Sequence, residues 1–275
     1  MNPTAYQALS HADHKRIRAL QKRSEREHQR LCVLEGEHLC KEYAEYREHQ
    51  PAATTQSSII EIHSVVVADE NLSPEISALA NALAAWGTPV FSTSAQKFAL
   101  LCDTATPQGI LAVIDLPERP ITGGEPLLVL DGVADPGNVG TIIRTADWFG
   151  VRNVLLGQGC ADRFHPKVLR ATMGAVFRCA VHSTQNLAPT LRTSFAEYTL
   201  WGASLQSAQT LETLKNEIIQ ERNNYGIVMG SEARGISREV LECLAGTFKI
   251  RGGASGGESL NVAIAAGIIL HQMTA

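Results

Sequence analysis

From Leu127 to the end, short apolar runs alternate with stretches of helical character. The runs Leu127–Leu130, Val151–Leu156, Val176–Val181, Thr199–Ala203, Tyr225–Met229 and Thr247–Ile250 read as buried strands. Helices are expected over Val139–Phe149, Pro166–Gly174, Ser237–Leu244 and Ser259–Gln272. Strands that are apolar throughout, with helices between them, imply a parallel sheet covered on both faces. Ligands of such sheets usually bind at the carboxyl edge, where strands hand over to helices.

The first half is more mixed. Residues 11–30 read as one basic helix, followed by a strand at Leu31–Glu37 and a helix at His38–His49. Pro51–Ser58 has loop composition, and Arg251–Gly257 is a glycine-rich loop. The apolar run Ile59–Ala68, a helix at Pro74–Trp86, a strand near Val90, a helix at Ala95–Leu101 and a strand at Gly109–Leu116 complete a small α/β domain. The Pro- and Gly-bearing stretch before Leu127 resembles a linker. The expected layout is residues 1–118 as a small α/β domain, 119–126 as linker, and 127–275 as a second α/β domain.

Composition narrows the function classes. With 44% hydrophobic and 19% charged residues, the chain has the profile of a soluble globular protein. Its longest apolar run, Val262–Leu270, is too short to cross a bilayer, and the first residues carry no signal-peptide core, so no membrane association and a cytoplasmic location are expected. The six cysteines form no C-x-x-C pair and meet no histidine pair at ligand spacing, so no metal site is expected and the thiols should be reduced. A net charge of −4 argues against wholesale coating of nucleic acid, but Lys15, Arg16, Lys22 and Arg23 belong to a locally basic run. Alone that run is an ordinary solvated face; were a neighbouring domain to act on nucleic acid, it would suit phosphate contact.

Three segments sit where apolar runs stop: Asp135-Pro136-Gly137-Asn138-Val139-Gly140-Thr141-Ile142-Ile143-Arg144, Gly230-Ser231-Glu232-Ala233-Arg234-Gly235, and Ser259-Leu260-Asn261-Val262-Ala263-Ile264-Ala265. Each has an ordinary explanation. Asn138 falls near a helix start, where Asn is a good cap. Glu232 would be favourable near a helix start, and Ser259 or Asn261 could cap the last helix. Arg144 stands out, because Ile142, Ile143 and Ala146 around it look core-facing, although a snorkelling arginine would also fit there.

In combination and order, the three segments resemble the motifs of the SpoU (TrmH) branch of the SPOUT RNA methyltransferases, which methylate ribose 2′-hydroxyls from S-adenosylmethionine. The stretch Lys167–Phe177 is similar to the family's K-x-x-R-A-[ST]-x-G-A-x-F segment, with Lys167 and Arg170 placed to meet RNA phosphate. Weaker similarity runs through Leu34-Glu35-Gly36 and Thr106–Ile110. The resemblance implies a C-terminal SPOUT methyltransferase domain with a trefoil knot over residues 127–275, preceded by a small ribosomal-protein-like α/β domain over residues 1–118 that binds the RNA substrate. It implies Arg144, Asn138 and Glu232 as catalytic residues, and Gly230, Ile250, Leu260 and Asn261 around S-adenosylmethionine. It implies an RNA substrate, rRNA of the large subunit ahead of tRNA, and a homodimer formed through the C-terminal domain. An arginine is ordinarily always protonated, so positioning of the hydroxyl is the role expected of Arg144. Two departures are visible: Ala263 stands where the family often has Ser, and Arg251 follows Ile250 in place of the usual Pro. They leave a rival reading, an RNA-binding or ribosome-assembly protein that has kept the fold and lost turnover.

Overall fold

The computed structural model describes residues 6–50, 59–69, 72–220, 224–252 and 259–274; the expected loop 51–58 and most of the glycine-rich loop lie outside them. The chain forms two compact units, Met1–Pro117 with Phe164–Phe177, and Glu118–Arg163 with Arg178–Ala275. No helix among the described residues is long and apolar enough to cross a membrane.

The first unit begins with β1 (Gln7–Ala8), α1 (His11–Ala19), α2 (Arg23–Gln29), β2 (Leu31–Glu35) and α3 (Glu37–Glu48). β3 (Ile62–Ala68), α4 (Pro74–Ala84), β4 (Val90–Thr93), α5 (Ala95–Ala99) and β5 (Ile110–Asp115) follow. Its mixed sheet runs β1-β4-β3-β5-β2, with β5 antiparallel to both neighbours. The single basic helix expected over 11–30 is two helices. Leu20 is buried at the break, and the buried Arg26 donates from Nη1 to the carbonyls of Leu20 (2.7 Å) and Gln21 (2.9 Å). A side-chain cation thus satisfies carbonyls that the end of α1 leaves without helical partners.

The chain then builds β6 (Leu127–Asp131), α6 (Pro136–Trp148) and β7 (Asn153–Leu156) of the second unit. Its next segment, including α7 (Pro166–Thr172), packs into the first unit. Phe164, Leu169, Val176 and Phe177 join the core beneath α3 and α4. The strand expected over Val176–Val181 is therefore split: Ala175–Phe177 is a single 3-10 turn, and only Ala180–Ser183 (β8) is extended. The reason is aromatic packing. The Phe177 ring lies 5.8 Å from Tyr43 and 5.5 Å from Tyr46, centroid to centroid, which holds it in the other core.

The rest of the second unit is α8 (Leu187–Ser194), β9 (Thr199–Ala203), α9 (Leu211–Gln220), β10 (Tyr225–Gly230), α10 (Arg238–Leu241), β11 (Gly246–Phe248) and α11 (Val262–Thr274). The sheet order is β11-β9-β10-β6-β7-β8 and every pairing is parallel, as the unbroken apolar runs require. All six strands therefore end on one edge. The central pair β6 and β10 deliver their following loops there side by side.

Candidate active site

The loop after β6 enters α6 through Asp135, whose Oδ1 accepts the Asn138 amide at 2.9 Å, with Pro136 in the first turn. Asp135, not Asn138, is the N-cap. Proline pre-sets the first helical φ and aspartate supplies the acceptor, so the Asn138 side chain is released for other contacts.

The loop after β10 is closed on itself. Ser231 and Gly235 exchange backbone hydrogen bonds of 3.0 and 2.8 Å, and Gly235 adopts φ +67°, a left-handed conformation open to glycine. A Cβ on Gly230 would lie 2.2 Å from the Gly235 carbonyl carbon, so only glycine fits at the strand end. Asp131 holds the far side of the loop by accepting the Ser237 amide at 2.7 Å. Sequence reasoning passed over Asp131; the available signal was a carboxylate closing an otherwise apolar strand.

These loops meet through side chains. Asn138 donates from Nδ2 to Glu232 Oε1 at 2.7 Å, and its Oδ1 accepts from Asn261 Nδ2 at 3.1 Å. Asn261 Oδ1 in turn accepts the amides of Ala263 (2.9 Å) and Ile264 (3.2 Å), capping α11. The chain of bonds has one direction only. A carboxylate can only accept, so Asn138 must present its amino group to Glu232 and its carbonyl to Asn261. Asn261 is then left with its own carbonyl for the helix. Three segments far apart in sequence are locked into one polar line.

Arg144 lies on the exposed face of α6, while Ile142, Ile143 and Ala146 are fully buried, as their pattern implied. Among the described residues its guanidinium has no hydrogen-bond or ion-pair partner. Its N–H donors are thus held on a helix and open to solvent. Leu260 is half exposed and Ile250 partly buried after β11, leaving apolar surface next to the polar line. A glycine-tight strand end, half-exposed apolar side chains and polar groups at a sheet's carboxyl edge fit an adenosyl ligand. Ala263 is buried in the first turn of α11, where its amide is already satisfied by Asn261.

The residues expected to meet RNA are divided. Lys15, Arg16, Lys22 and Arg23 are all exposed on α1, α2 and the turn between them. Arg16 sits 3.6 Å from Asp13, and Arg23 donates to Glu27 at 2.7 Å. Lys167 is exposed. Arg170 pairs within the first unit: its Nη1 meets Glu35 at 2.5 Å and its Nη2 meets Asp103 at 2.8 Å. Both arms of the fork are taken by carboxylates, one of them buried, because α7 packs beside β2 in the first unit.

The SpoU rRNA Methylase family model matches residues 125–271, and an MRM3-like substrate binding domain matches residues 13–112. The chain is 32% identical over 257 residues to the Bacillus subtilis 23S rRNA (guanosine(2553)-2′-O)-methyltransferase RlmP, covering 92% of each. Among solved structures it is similar to a TrmH-family protein from Porphyromonas gingivalis, with 33% identity, a TM-score of 0.75, and 96% and 98% of the two chains covered. An AdoMet-bound rRNA methyltransferase from Sinorhizobium meliloti matches with 26% identity, a TM-score of 0.73, and 98% and 97% coverage. With the three motifs joined at one sheet edge and the likeness running through both units, the chain belongs to the SpoU rRNA methylase family.

Proposed function

We propose that the protein transfers a methyl group from S-adenosylmethionine to a ribose 2′-hydroxyl of large-subunit rRNA. The observation that carries this reading is the Glu232–Asn138–Asn261 line with the unengaged Arg144 on the same helix as Asn138. When bound, S-adenosylmethionine supplies an electrophilic methyl on a positive sulfur. The protein's task is placement. Gly230, Ile250, Leu260 and Asn261 are the residues assigned to hold the donor. Arg144 orients the hydroxyl and stabilises charge that develops on its oxygen, since a fixed guanidinium fork is suited to that role. Glu232 keeps its second oxygen to accept a hydrogen bond from the ribose or from Arg144, with Asn138 fixing the carboxylate's direction.

Lys15, Arg16, Lys22 and Arg23 are assigned to phosphate contact, and the match to a substrate binding domain supports that division of labour. The relative RlmP is named for 23S rRNA, which supports rRNA over tRNA. A homodimer through the second unit is part of the reading. Trp148, 84% exposed on α6, and Ile264, 57% exposed on α11, are large apolar side chains that such a contact would cover. The reading also includes the trefoil knot: the chain leaves edge strand β11 and re-enters to pack α11 against α6 and β10. A cytoplasmic location is included as well, where six free thiols stay reduced.

The test is donor binding by calorimetry, followed by methyl transfer to unmodified large-subunit rRNA with mapping of the 2′-O-methyl site. Binding with transfer to tRNA alone would move the substrate. Absence of donor affinity would leave an RNA-binding relative that has lost turnover.

A further inference from the structure

The first unit holds a cavity of about 360 Å³ that the methyl-transfer reading does not use. It lies among the start of α3, the loop 102–110 and the end of α7. Its most buried polar group is Glu35, only 4% exposed, whose carboxylate is held from three sides. Oε1 accepts the Asp103 amide at 2.7 Å, while Oε2 accepts the Thr104 amide at 3.3 Å and Arg170 Nη1 at 2.5 Å. A carboxylate offers about four acceptor positions, so close to one is left for a ligand.

Gln108 Oε1 accepts the Glu37 amide at 3.0 Å, which leaves the Nε2 amino group without a partner among the described residues. Gly36 has no side chain to cap α3, and a Cβ there would lie 2.4 Å from Gln108 Oε1. The amides of His38 and Leu39 in the first turn have no partner among the described residues either, as the geometry of a helix start dictates. Leu39, Pro107, Ile110 and Met173 supply apolar walls.

Charge decides what this space suits. Arg170 is shared between Glu35 and Asp103, so the floor holds one carboxylate more than its guanidinium offsets, and it repels a phosphate. What fits is flat, uncharged, apolar on its faces and rich in hydrogen-bond acceptors at its edge. The volume, near the lower end of ligand sites of ~300–1,000 Å³, admits one base with its sugar. We propose that this cavity captures a single unstacked nucleobase of the RNA substrate, and that it favours a carbonyl-bearing base such as uracil over adenine. This rests on the reading of the protein as an RNA enzyme. The Gln108 amino group and the amides at the start of α3 are the donors that would meet a carbonyl edge, and single-stranded RNA offers such a base at the lowest unstacking cost.

The test uses the full chain with oligouridylate and oligoadenylate of equal length, read by fluorescence anisotropy. Wild-type protein should prefer oligouridylate. Thr106→Trp, which fills the cavity from an exposed position, should weaken oligouridylate binding by ~10-fold or more and abolish the preference, with donor affinity unchanged. Gln108→Ala should reduce the preference with a smaller drop in affinity. A mapping that needs no variant uses wild-type protein and 4-thiouridine RNA, where photo-crosslinks should fall on peptides containing Cys102 or Met173. Equal binding of both oligonucleotides, or crosslinks confined to residues outside the cavity, would overturn the proposal while methyl transfer to rRNA persists. A wild-type protein that binds no RNA would overturn both this proposal and the functional reading beneath it.

Discussion

Asn138 and Glu232 are 94 residues apart in sequence, yet the amide of one donates to the carboxylate of the other at 2.7 Å. That single hydrogen bond joins the start of α6 to the loop after β10. It also fixes which way both side chains face.

Asn138→Asp should therefore be worse than Asn138→Ala. The aspartate would set two carboxylates against each other and could not donate, so the Glu232 loop would be pushed away. We expect single-turnover methyl transfer to fall by ~10²-fold or more, with the thermal midpoint little changed. A wild-type rate in Asn138→Asp would remove the polar line from the mechanism.

Arg144→Ala should abolish methyl transfer, by ~10²–10³-fold, and leave donor affinity near wild type. Arg144 is exposed and unengaged, so its removal disturbs no packing. Arg144→Lys should rescue poorly, since an ammonium cannot reproduce the fork. Calorimetry for the donor and quenched-flow transfer separate the two effects.

Gly230→Ala places a methyl group 2.2 Å from the Gly235 carbonyl carbon. Neither side of that clash is a flexible side chain. The strand end must shift, at a cost of about 1–3 kcal/mol, and donor affinity should drop along with stability. Chemical denaturation and donor titration on the same variant would read both.

Neutralising Lys15, Arg16, Lys22 and Arg23 together should weaken RNA binding and flatten its salt dependence. On single strands the slope should change by up to ~0.7 for each phosphate no longer neutralised. The change should fall short of that expected for four free cations, because Arg16 and Arg23 already have carboxylate neighbours. Arg26→Ala is the contrasting control. It should lower the melting temperature, because the carbonyls of Leu20 and Gln21 would be deprived of their donor.

Burial pushes the Glu35 carboxyl above the ordinary glutamate range, against the lowering influence of the Asp103 amide, Arg170 and the Thr104 amide. A raised folded-state value means the folded protein holds this proton more tightly than the unfolded chain does. The stability so contributed is complete below the ordinary glutamate pKa and is lost as pH rises through the folded value. Glu35→Gln should flatten that part of the stability profile across mildly acidic pH. Above that window, where Glu35 is ionised, it should also cost about 1.5–3 kcal/mol for the charged hydrogen bond to Arg170, read from urea melts.

Much of this was legible in the residues. Apolar runs such as Leu127–Leu130 and Tyr225–Met229 announced buried parallel strands, since nothing polar interrupts them. Asn138, Glu232 and Asn261 each read as an ordinary cap by itself, and only the order of the three motifs in the resemblance set them apart. What could not be read was partnership at a distance. Nothing near Arg26 says that it turns inward to close α1, so the basic run looked like one helix. Phe177 follows a helix in an apolar stretch and read as part of a strand, but its ring belongs with Tyr43 and Tyr46, far back in the chain. Nor does anything near Arg170 say that its two arms meet Glu35 and Asp103, far back in the chain.

The return of Phe164–Phe177 to the first unit sets a timetable for synthesis. That unit is not complete when Pro117 leaves the ribosome; it lacks Phe164, Leu169, Val176 and Phe177 from its core. The 60 residues from 118 to 177 take on the order of 3–12 s to be made at ~5–20 residues per second. During that interval Tyr43 and Tyr46 wait beside an open seat, in a chain with apolar surface exposed. Nascent protein halted in this window should be the form most readily bound by chaperones, and release of residue 177 should end it.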